Sequence, residues 1–257
     1  MDNPNSYSSN ETPPPGPAPQ EMVQVKLPTT PPVATIGLIV ACVLVYLAQL
    51  ATQYFLGVDV PAALGEKAND WIVRGELWRL ITPMFLHGSI LHIAFNMYAL
   101  YLFGPGLERH YGHGRFLVLY FLGGFAGNVV SFALSRSPSL GSSTAIFGLL
   151  GAEGVFIFQN RGLFGKRARQ AISQVVTIAA INLLIGLTPG IDNWGHVGGL
   201  LGGTAFAWFA GPLLRLEGFP PDFWFVDRRE GREVFLAACG VALIFMLMTG
   251  VLIFTRR

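Results

Sequence analysis

A serine and a histidine stand at the starts of two apolar segments, about fifty residues apart along the chain. Ser143 follows Gly141, which allows a tight turn, and His196 opens the second segment. An ionisable side chain inside a membrane-spanning segment marks a functional site by default, because it is costly there. A serine hydroxyl becomes an effective nucleophile when a neighbouring imidazole accepts its proton. The pair therefore predicts hydrolysis catalysed within a membrane.

The segment that contains His196 carries glycines that would let it lie close to another helix. Gly199 and Gly203 follow His196 by three and seven residues, so all three share one helix face. Small residues at this spacing allow helices to approach closely in lipid. The segment that begins at Ser143 has a matching face of small residues: Gly148, Gly151 and Ala152. Packing of the two faces would bring the serine and the histidine together.

Groups that could stabilise a developing negative charge lie near the start of another segment. His92 and Asn96 are four residues apart and share a helix face. The backbone N–H of Ser143, at a helix start, has no intrahelical partner. These three donors would bind the oxyanion of a tetrahedral intermediate. Phe147, one helical turn after Ser143, is placed to stack on the imidazole of His196 and hold it.

Other interpretations of the same residues stay open at this point. Ser142 and Ser143 are of a residue type that caps helix N-termini, and His196 would also suit a helix start near the membrane boundary. His87 and His92 are metal-binding residue types, but no glutamate accompanies them as in an HExxH zinc helix. His87 lies five residues before His92, where we expect a loop to join the helix.

The composition indicates a polytopic membrane protein. Of the 257 residues, 52% are hydrophobic and 12% are charged, whereas soluble domains carry about 25% charged residues. The mean hydropathy is +0.49. A net charge of only +2 gives no sign of nucleic-acid binding. Cys42 and Cys239 lie in apolar runs and are expected to be small buried hydrophobes. We predict neither a metal nor a cofactor.

Seven apolar segments approach the length of about 20 residues that a helix needs to cross a bilayer. They cover residues 33–55, 85–103, 116–134, 143–158, 171–187, 196–214 and 234–254. The chain is thus predicted to be an all-α membrane protein with seven membrane segments, which follow a disordered Pro-rich cytoplasmic tail at residues 1–32.

The distribution of basic residues predicts the orientation in the membrane. With the N-terminus in the cytoplasm, eleven of the seventeen Lys and Arg residues lie on the cytoplasmic side, which basic loops prefer. Ser143 and His196 then begin their helices on the outer side, and an active site there would open outward. The compact loops and short tails favour a bacterial inner membrane.

Four motifs follow one another between about residues 56 and 214, and together they resemble a known family. They are Trp78-Arg79, His87-x4-His92-x3-Asn96, Gly141-Ser142-Ser143, and Gly195-His196 with Gly199 and Gly203. In this order they resemble the rhomboid intramembrane serine proteases. The C-terminal helix resembles the extra helix of the six-plus-one subgroup.

The resemblance implies a rhomboid-like six-helix bundle, residues 33–215, in which Ser143 and His196 form a catalytic dyad. A cytoplasmic linker, 216–233, and the additional C-terminal transmembrane helix, 234–257, would follow this core. The resemblance also implies an oxyanion hole made by His92, Asn96 and the Ser143 amide.

The resemblance further implies that Trp78 and Arg79 stabilise the loop before the second membrane segment. The other motif residues, His87, Gly141, Gly199 and Gly203, are expected in supporting positions, as is Phe147, which lies outside the four motifs. The substrates would be single-pass transmembrane proteins, cut near the outer membrane boundary at small residues.

One position departs from the family pattern Gly-x-Ser-Gly, since Thr144 stands at its last place. Threonine is β-branched and restricts the backbone beside the nucleophile. A non-proteolytic rhomboid-like protein that binds membrane clients is the alternative function, but such a chain has no need of both Ser143 and His196. A transporter would show an internal repeat, and each motif occurs once.

Overall fold

The computed structural model describes residues 25–26, 30–219 and 222–257, and most of these residues are helical. The helices are α1 Val33–Leu56, α2 Val60–Gly65, α3 Asn69–Val73, α4 Ile90–Tyr111, α5 His113–Leu134, α6 Ser143–Gln159, α7 Arg161–Phe164, α8 Arg167–Ile185, α9 Asn193–Ala210 and α10 Gly231–Arg256. The predicted helical membrane bundle is confirmed. The predicted disordered tail, 1–32, lies almost entirely outside the described residues.

Each of the seven predicted segments overlaps a helix, but the sixth ends earlier than predicted, at Ala210 instead of Leu214. Five helices are long and apolar enough to cross a membrane, namely α1, α4, α5, α8 and α10, whereas α6 is shorter. The number of crossings, seven, stays a prediction. The second segment begins later than predicted, at Ile90 instead of Phe85, because Thr82–Phe85 forms a 3-10 turn. Ser89 caps α4, and its hydroxyl accepts a hydrogen bond from the His92 amide at 3.1 Å.

Glycines bring α5, α6 and α9 into backbone contact at the centre of the bundle. A β-carbon added at Gly199 would overlap the Thr144 carbonyl oxygen, and one at Gly203 would overlap the Gly148 carbonyl oxygen. The α6–α9 contact therefore uses the small faces expected from the sequence. This contact holds the first turns of α6 and α9 side by side.

The loop between α1 and α4 is folded around Arg79, which is only 3% exposed. Its guanidinium donates to the carbonyl oxygens of Ala63 and Glu66 and to the carboxylate of Glu76. The Trp78 indole N–H donates to the Leu64 carbonyl oxygen at 3.0 Å. Both residues belong to the 3-10 turn Leu77–Leu80, and their bonds tie this turn to α2. That they stabilise the loop, as the resemblance implies, stays a prediction.

A small sheet follows α9, in a region expected to be a linker. Strand β2, Leu214–Phe219, pairs antiparallel with β3, Asp222–Asp227, and β1, Val25–Lys26, pairs parallel with β3. The strand order is β1-β3-β2. The sequence signal for β3 is its run of aromatic and β-branched residues from Phe223 to Val226, which favours strands.

The C-terminal helix α10 packs on α5 and α9. At its end, the Arg256 guanidinium donates to the carbonyl oxygens of Phe132 and Ala133, in the last turn of α5. Those carbonyls have no partner within their own helix. Arg256 therefore caps α5 at the end of the bundle from which the chain continues toward Ser143.

Candidate active site

Ser143 and His196 meet where α6 and α9 begin. The Ser143 Oγ and His196 Nε2 atoms are 2.9 Å apart, within hydrogen-bond range. Ser143 is the first residue of α6 and His196 the fourth of α9. Ser142 occupies the N-cap position of α6, but its side chain makes no capping hydrogen bond. The arrangement supplies a hydroxyl and a base in direct contact, as nucleophilic catalysis requires.

Asp192 fixes the start of α9: its carbonyl oxygen accepts from the His196 backbone N–H at 3.2 Å, but its carboxylate does not bond to the imidazole. Its carboxylate accepts from the Gly195 amide at 3.1 Å and from the Ser131 hydroxyl. It is thus the N-cap of α9, anchored to α5. The His196 Nδ1 atom is buried and finds no hydrogen-bond partner among the described residues. Among the described residues, no carboxylate hydrogen-bonds to the imidazole of His196.

Phe147 orients the imidazole of His196 by lying against the face of the ring. Its ring stacks on the imidazole of His196, with centroids 4.3 Å apart and planes at 11°. Phe147 lies one turn after Ser143 on α6, so the stacking follows directly from the helix period. The contact fixes the plane of the imidazole while its Nε2 atom faces the hydroxyl.

Gly141 adopts a backbone conformation that other residues rarely adopt. Its φ angle is 132°, and its N–H donates to the Pro83 carbonyl oxygen at 2.8 Å. A β-carbon at this position would lie 2.7 Å from His92 Nε2 and 3.6 Å from Ser143 Oγ. Glycine is therefore required here both for the turn and for the space between the histidine and the serine.

Lys67 anchors the strand-like segment that leads to Gly141. Its backbone exchanges two hydrogen bonds with Ser139, at 2.8 and 3.0 Å, and its Nζ donates to the Ser137 carbonyl oxygen at 2.7 Å. Burial lowers the pKa of the Lys67 ammonium to about 8. Nothing in the sequence singled out this lysine, because its partner lies about seventy residues away.

His92 presents a donor toward the serine. Its Nδ1 atom accepts from the Gly88 N–H at 3.4 Å, an assignment that leaves the hydrogen of a neutral imidazole on Nε2. The Nε2 atom faces the gap beside Gly141 and Ser143. The Ser143 amide lies at the start of α6, where backbone N–H groups lack intrahelical partners. The role of both groups as oxyanion donors stays a prediction.

Asn96 is buried on the same face of α4 but points its amide elsewhere. Its Nδ2 atom donates to the His92 carbonyl oxygen at 3.1 Å, one turn back along the helix. The side chain bonds neither to Ser143 nor to His196. Its participation in an oxyanion hole requires a rotation of the side chain away from this carbonyl.

His87 lies in the loop before α4, as expected, and belongs to a network that the sequence did not reveal. Its Nε2 atom is 3.3 Å from the Ser142 hydroxyl, and its ring meets the His92 ring edge-on at 5.2 Å. The Gln49 side chain on α1 binds both backbone groups of His87 and also the Asp59 carboxylate. A carboxamide in an apolar segment was the available signal for Gln49, although Gln53 in the same segment carries it too.

The residue that departs from the family pattern is accommodated by two glycines. Thr144 is 4% exposed and its side chain faces Gly127 of α5 and Gly195 of α9. A β-carbon at Gly127 would lie 2.6 Å from the Thr144 β-carbon, and one at Gly195 would lie 2.9 Å from its methyl group. The β-branched side chain therefore fills a space between α5, α6 and α9.

Within residues 25–26, 30–219 and 222–257, no three His, Cys, Asp or Glu side chains are grouped closely enough to hold a metal ion. The polar groups near Ser143 are instead arranged as hydrogen-bond donors and acceptors. That the protein needs no cofactor stays a prediction.

Comparison with known proteins identifies relatives of this chain. The family model of the rhomboid domain matches residues 74–213. The "Rhomboid protease GluP" of Bacillus subtilis is 46% identical over 184 residues, which cover 71% of this chain and 34% of GluP. "RHOMBOID-like protein 9, chloroplastic" of Arabidopsis thaliana is 36% identical over 159 residues, covering 62% of this chain and 37% of that protein.

A third relative differs in what its name says about activity. "Inactive RHOMBOID-like protein 8" of Arabidopsis thaliana is 35% identical over 127 residues, or 49% of this chain and 36% of that protein. This chain spans about a third of the length of these relatives. The rhomboid model covers more than half of the chain and includes every motif residue from His87 to Gly203. The protein is an integral membrane protein and belongs to the rhomboid family.

Proposed function

We propose that this protein is an intramembrane serine endopeptidase, which hydrolyses peptide bonds in or next to transmembrane segments of membrane proteins. Ser143 is the nucleophile, and His196 is the general base and then the general acid. The 2.9 Å contact between Ser143 Oγ and His196 Nε2 carries this proposal. The membership of the rhomboid family and the similarity to a named bacterial protease support it.

The proposed reaction proceeds in two halves. As Ser143 Oγ attacks the scissile carbonyl carbon, its proton passes to His196 Nε2, and the carbonyl oxygen becomes an oxyanion. His196 then gives that proton to the leaving amine, the C–N bond breaks, and an acyl-enzyme remains. A water molecule, deprotonated by His196, attacks the ester and releases the carboxylic acid, while the proton returns to Ser143.

The oxyanion is stabilised by groups that are already close to Ser143. His92 Nε2–H and the Ser143 amide donate directly, and Asn96 adds a third bond once its side chain leaves the His92 carbonyl oxygen. Preorganised donors of this kind act most strongly where water is scarce. Phe147 keeps the imidazole of His196 in place through both proton transfers.

The rival function is that of a client-binding protein without protease activity. The similarity to "Inactive RHOMBOID-like protein 8" keeps this rival open, because family membership alone does not imply activity. A client-binding function, however, gives no reason for a serine and a histidine at hydrogen-bond distance in a buried site. We therefore prefer the protease.

Labelling with a fluorophosphonate tests the proposed nucleophile. We expect the probe to attach to Ser143 in the full-length protein in vesicles, and the His196→Ala variant to lose the label because its serine is no longer activated. Peptide mass spectrometry identifies the labelled residue. Ser137→Ala, which removes an exposed hydroxyl, serves as the matched control and should label like the unmodified protein. Label on any other serine contradicts the proposal.

The oxyanion donors are tested by removing them singly. His92→Ala and Asn96→Ala should each lower kcat for a reporter substrate about 10²–10³-fold with little change in KM, since the lost bond forms chiefly in the transition state. The measurement is the initial cleavage rate in reconstituted vesicles. Asn182→Ala is the control, because the Asn182 amide also bonds one turn back, to the Ile178 carbonyl oxygen at 2.8 Å. An unchanged rate for the Asn96 variant removes this residue from the mechanism.

The substrates, the orientation and the division of the chain are also proposals. We propose that single-pass transmembrane proteins are cut, and that the protein lies in a bacterial inner membrane with its N-terminus in the cytoplasm. The site then opens to the outer side. We keep the six-helix core 33–215 and the additional helix 234–257 as the two helical parts. Labelling of single cysteines placed at Arg161 and at Arg136, on opposite ends of the bundle, distinguishes the two possible orientations.

A further inference from the structure

Helix α8 has a polar face in a segment that is apolar enough to cross the membrane. The helix packs on the bundle through small and β-branched residues: Ala168, Ala171, Ile172, Val175 and Ala179. The residues on its other side include four with hydrogen-bonding side chains: Gln170, Ser173, Gln174 and Thr177. We name these four residues the polar stripe. Lys166 and Arg169 lie at its beginning.

The polar stripe points directly away from the bundle. Thr177 follows Ala168 by nine residues, or about two and a half helical turns, so the two side chains lie on opposite faces. Gln170, Ser173, Gln174 and Thr177 are all exposed, and none of their side chains has a hydrogen-bond partner among the described residues. Together with the two basic residues and Ile178 they form one continuous, open surface on α8.

Exposure of these groups to lipid tails would be unfavourable. An amide or hydroxyl transferred from water to an apolar medium loses its hydrogen bonds, and hydrocarbon offers none in return. Polar side chains on one membrane helix therefore bond to polar side chains on another. The stripe presents such hydrogen-bonding side chains over two turns of α8, which is more than a single exposed polar residue would present.

The stripe is distinct from the candidate active site. Ser143 is the first residue of α6, and the helix ends at Gln159, about 24 Å away along its axis at 1.5 Å per residue. Helix α8 begins shortly after that end. Gln170 and its neighbours thus lie in the half of the membrane opposite to Ser143 and His196. A ligand of the stripe does not occupy the space in which the proposed reaction takes place.

We propose that the polar stripe docks one transmembrane helix of another membrane protein. That helix carries carboxamide or hydroxyl side chains at spacings of three and four residues, which pair with those of the stripe. It carries an acidic residue at the end that meets Lys166 and Arg169. The two basic residues supply the charge complementarity that selects this partner.

A second copy of this chain fits the stripe less well. Two copies in one membrane have the same orientation, so a symmetric contact through α8 would place Lys166 and Arg169 of both copies at the same end. Like charges facing one another across an interface disfavour the pair. An acidic partner helix removes this repulsion and turns it into attraction.

Energy transfer between the full-length protein and a synthetic helix in lipid vesicles tests the proposal. The probe is a poly-leucine helix with three glutamines at spacings of four and three residues and one glutamate at the matching end. The variant Q170L/S173A/Q174L/T177V should weaken its binding about tenfold or more, because each lost pair contributes modestly and four are lost. Control variants are Ile181→Leu and Leu184→Ile, which alter the same exposed face without changing its polarity.

A charge exchange provides the second arm. K166E/R169E should lose the probe, and a probe with lysine in place of glutamate should bind to that variant and not to the unmodified protein. Equal binding of the all-leucine probe and the glutamine probe overturns the proposal. Energy transfer between two copies of this chain that disappears in the fourfold variant also overturns it, in favour of self-association. The Ser143→Ala variant should bind the probe normally, so failure of the proposed reaction and failure of this docking are distinguishable.

Discussion

Replacing Ser143 or His196 by alanine should reduce cleavage of a reporter membrane protein by at least about 10³-fold, to the level of the background. The serine variant lacks the atom that attacks, and the histidine variant leaves the hydroxyl protonated. Neither side chain contributes to the glycine contact between α6 and α9, so both variants should fold. The measurement is the appearance of the product in vesicles that contain purified enzyme and substrate.

The double variant S143A/H196A makes this expectation specific to a dyad. Because the two side chains act as a unit, the double variant should be no slower than either single variant. Losses that multiply would instead indicate two independent contributions. Ser137→Ala should cleave at the unmodified rate. Efficient cleavage by Ser143→Ala would refute the proposed nucleophile, whereas substrate binding without cleavage in the unmodified protein would favour the client-binding rival.

The local parts of the site could be predicted because they follow from helix periodicity. Phe147 stacks on His196 because one turn of α6 separates it from Ser143, and Gly199 shares a face with His196 for the same reason. Ser143 and His196 alone could also have been residues of helix starts, and the family motifs favoured a catalytic interpretation. Asn96 shows the limit of this reasoning, because its position on the helix face was predicted but its bond to the His92 carbonyl oxygen was not.

The parts that escaped prediction depend on contacts distant in sequence. Gln49 binds the backbone of His87 from another helix, and Lys67 pairs with Ser139 across about seventy residues. No fixed spacing along the sequence identifies the partners in either contact. Similarly, the space for Thr144 is made by Gly127, on a third helix, so the departure from the family pattern cannot be judged from the motif alone.

Substituting valine for Gly199 or Gly203 should destabilise the protein and abolish its activity. In each case the new β-carbon would overlap a carbonyl oxygen of α6, that of Thr144 or of Gly148, which side-chain rotation cannot relieve. Overpacking of a core costs about 1–3 kcal/mol, and overlap with a backbone belongs at the upper end. A loss of about 3 kcal/mol corresponds to a fall in Tm of about 10 °C for a protein of this size.

The unfolding temperature in detergent, followed by intrinsic fluorescence, checks this expectation. Gly240→Val in α10 is the matched control, because nothing lies within 4 Å of a β-carbon added there. The two variants should also differ from each other. Gly199 lies one turn from His196, so its replacement moves the histidine away from Ser143 and should abolish fluorophosphonate labelling even in the fraction that stays folded. Gly203 lies two turns away from His196. Its replacement should therefore lower Tm, whereas the fraction that stays folded should still be labelled. Full stability and labelling in both variants would contradict the close α6–α9 contact that places the hydroxyl next to the imidazole.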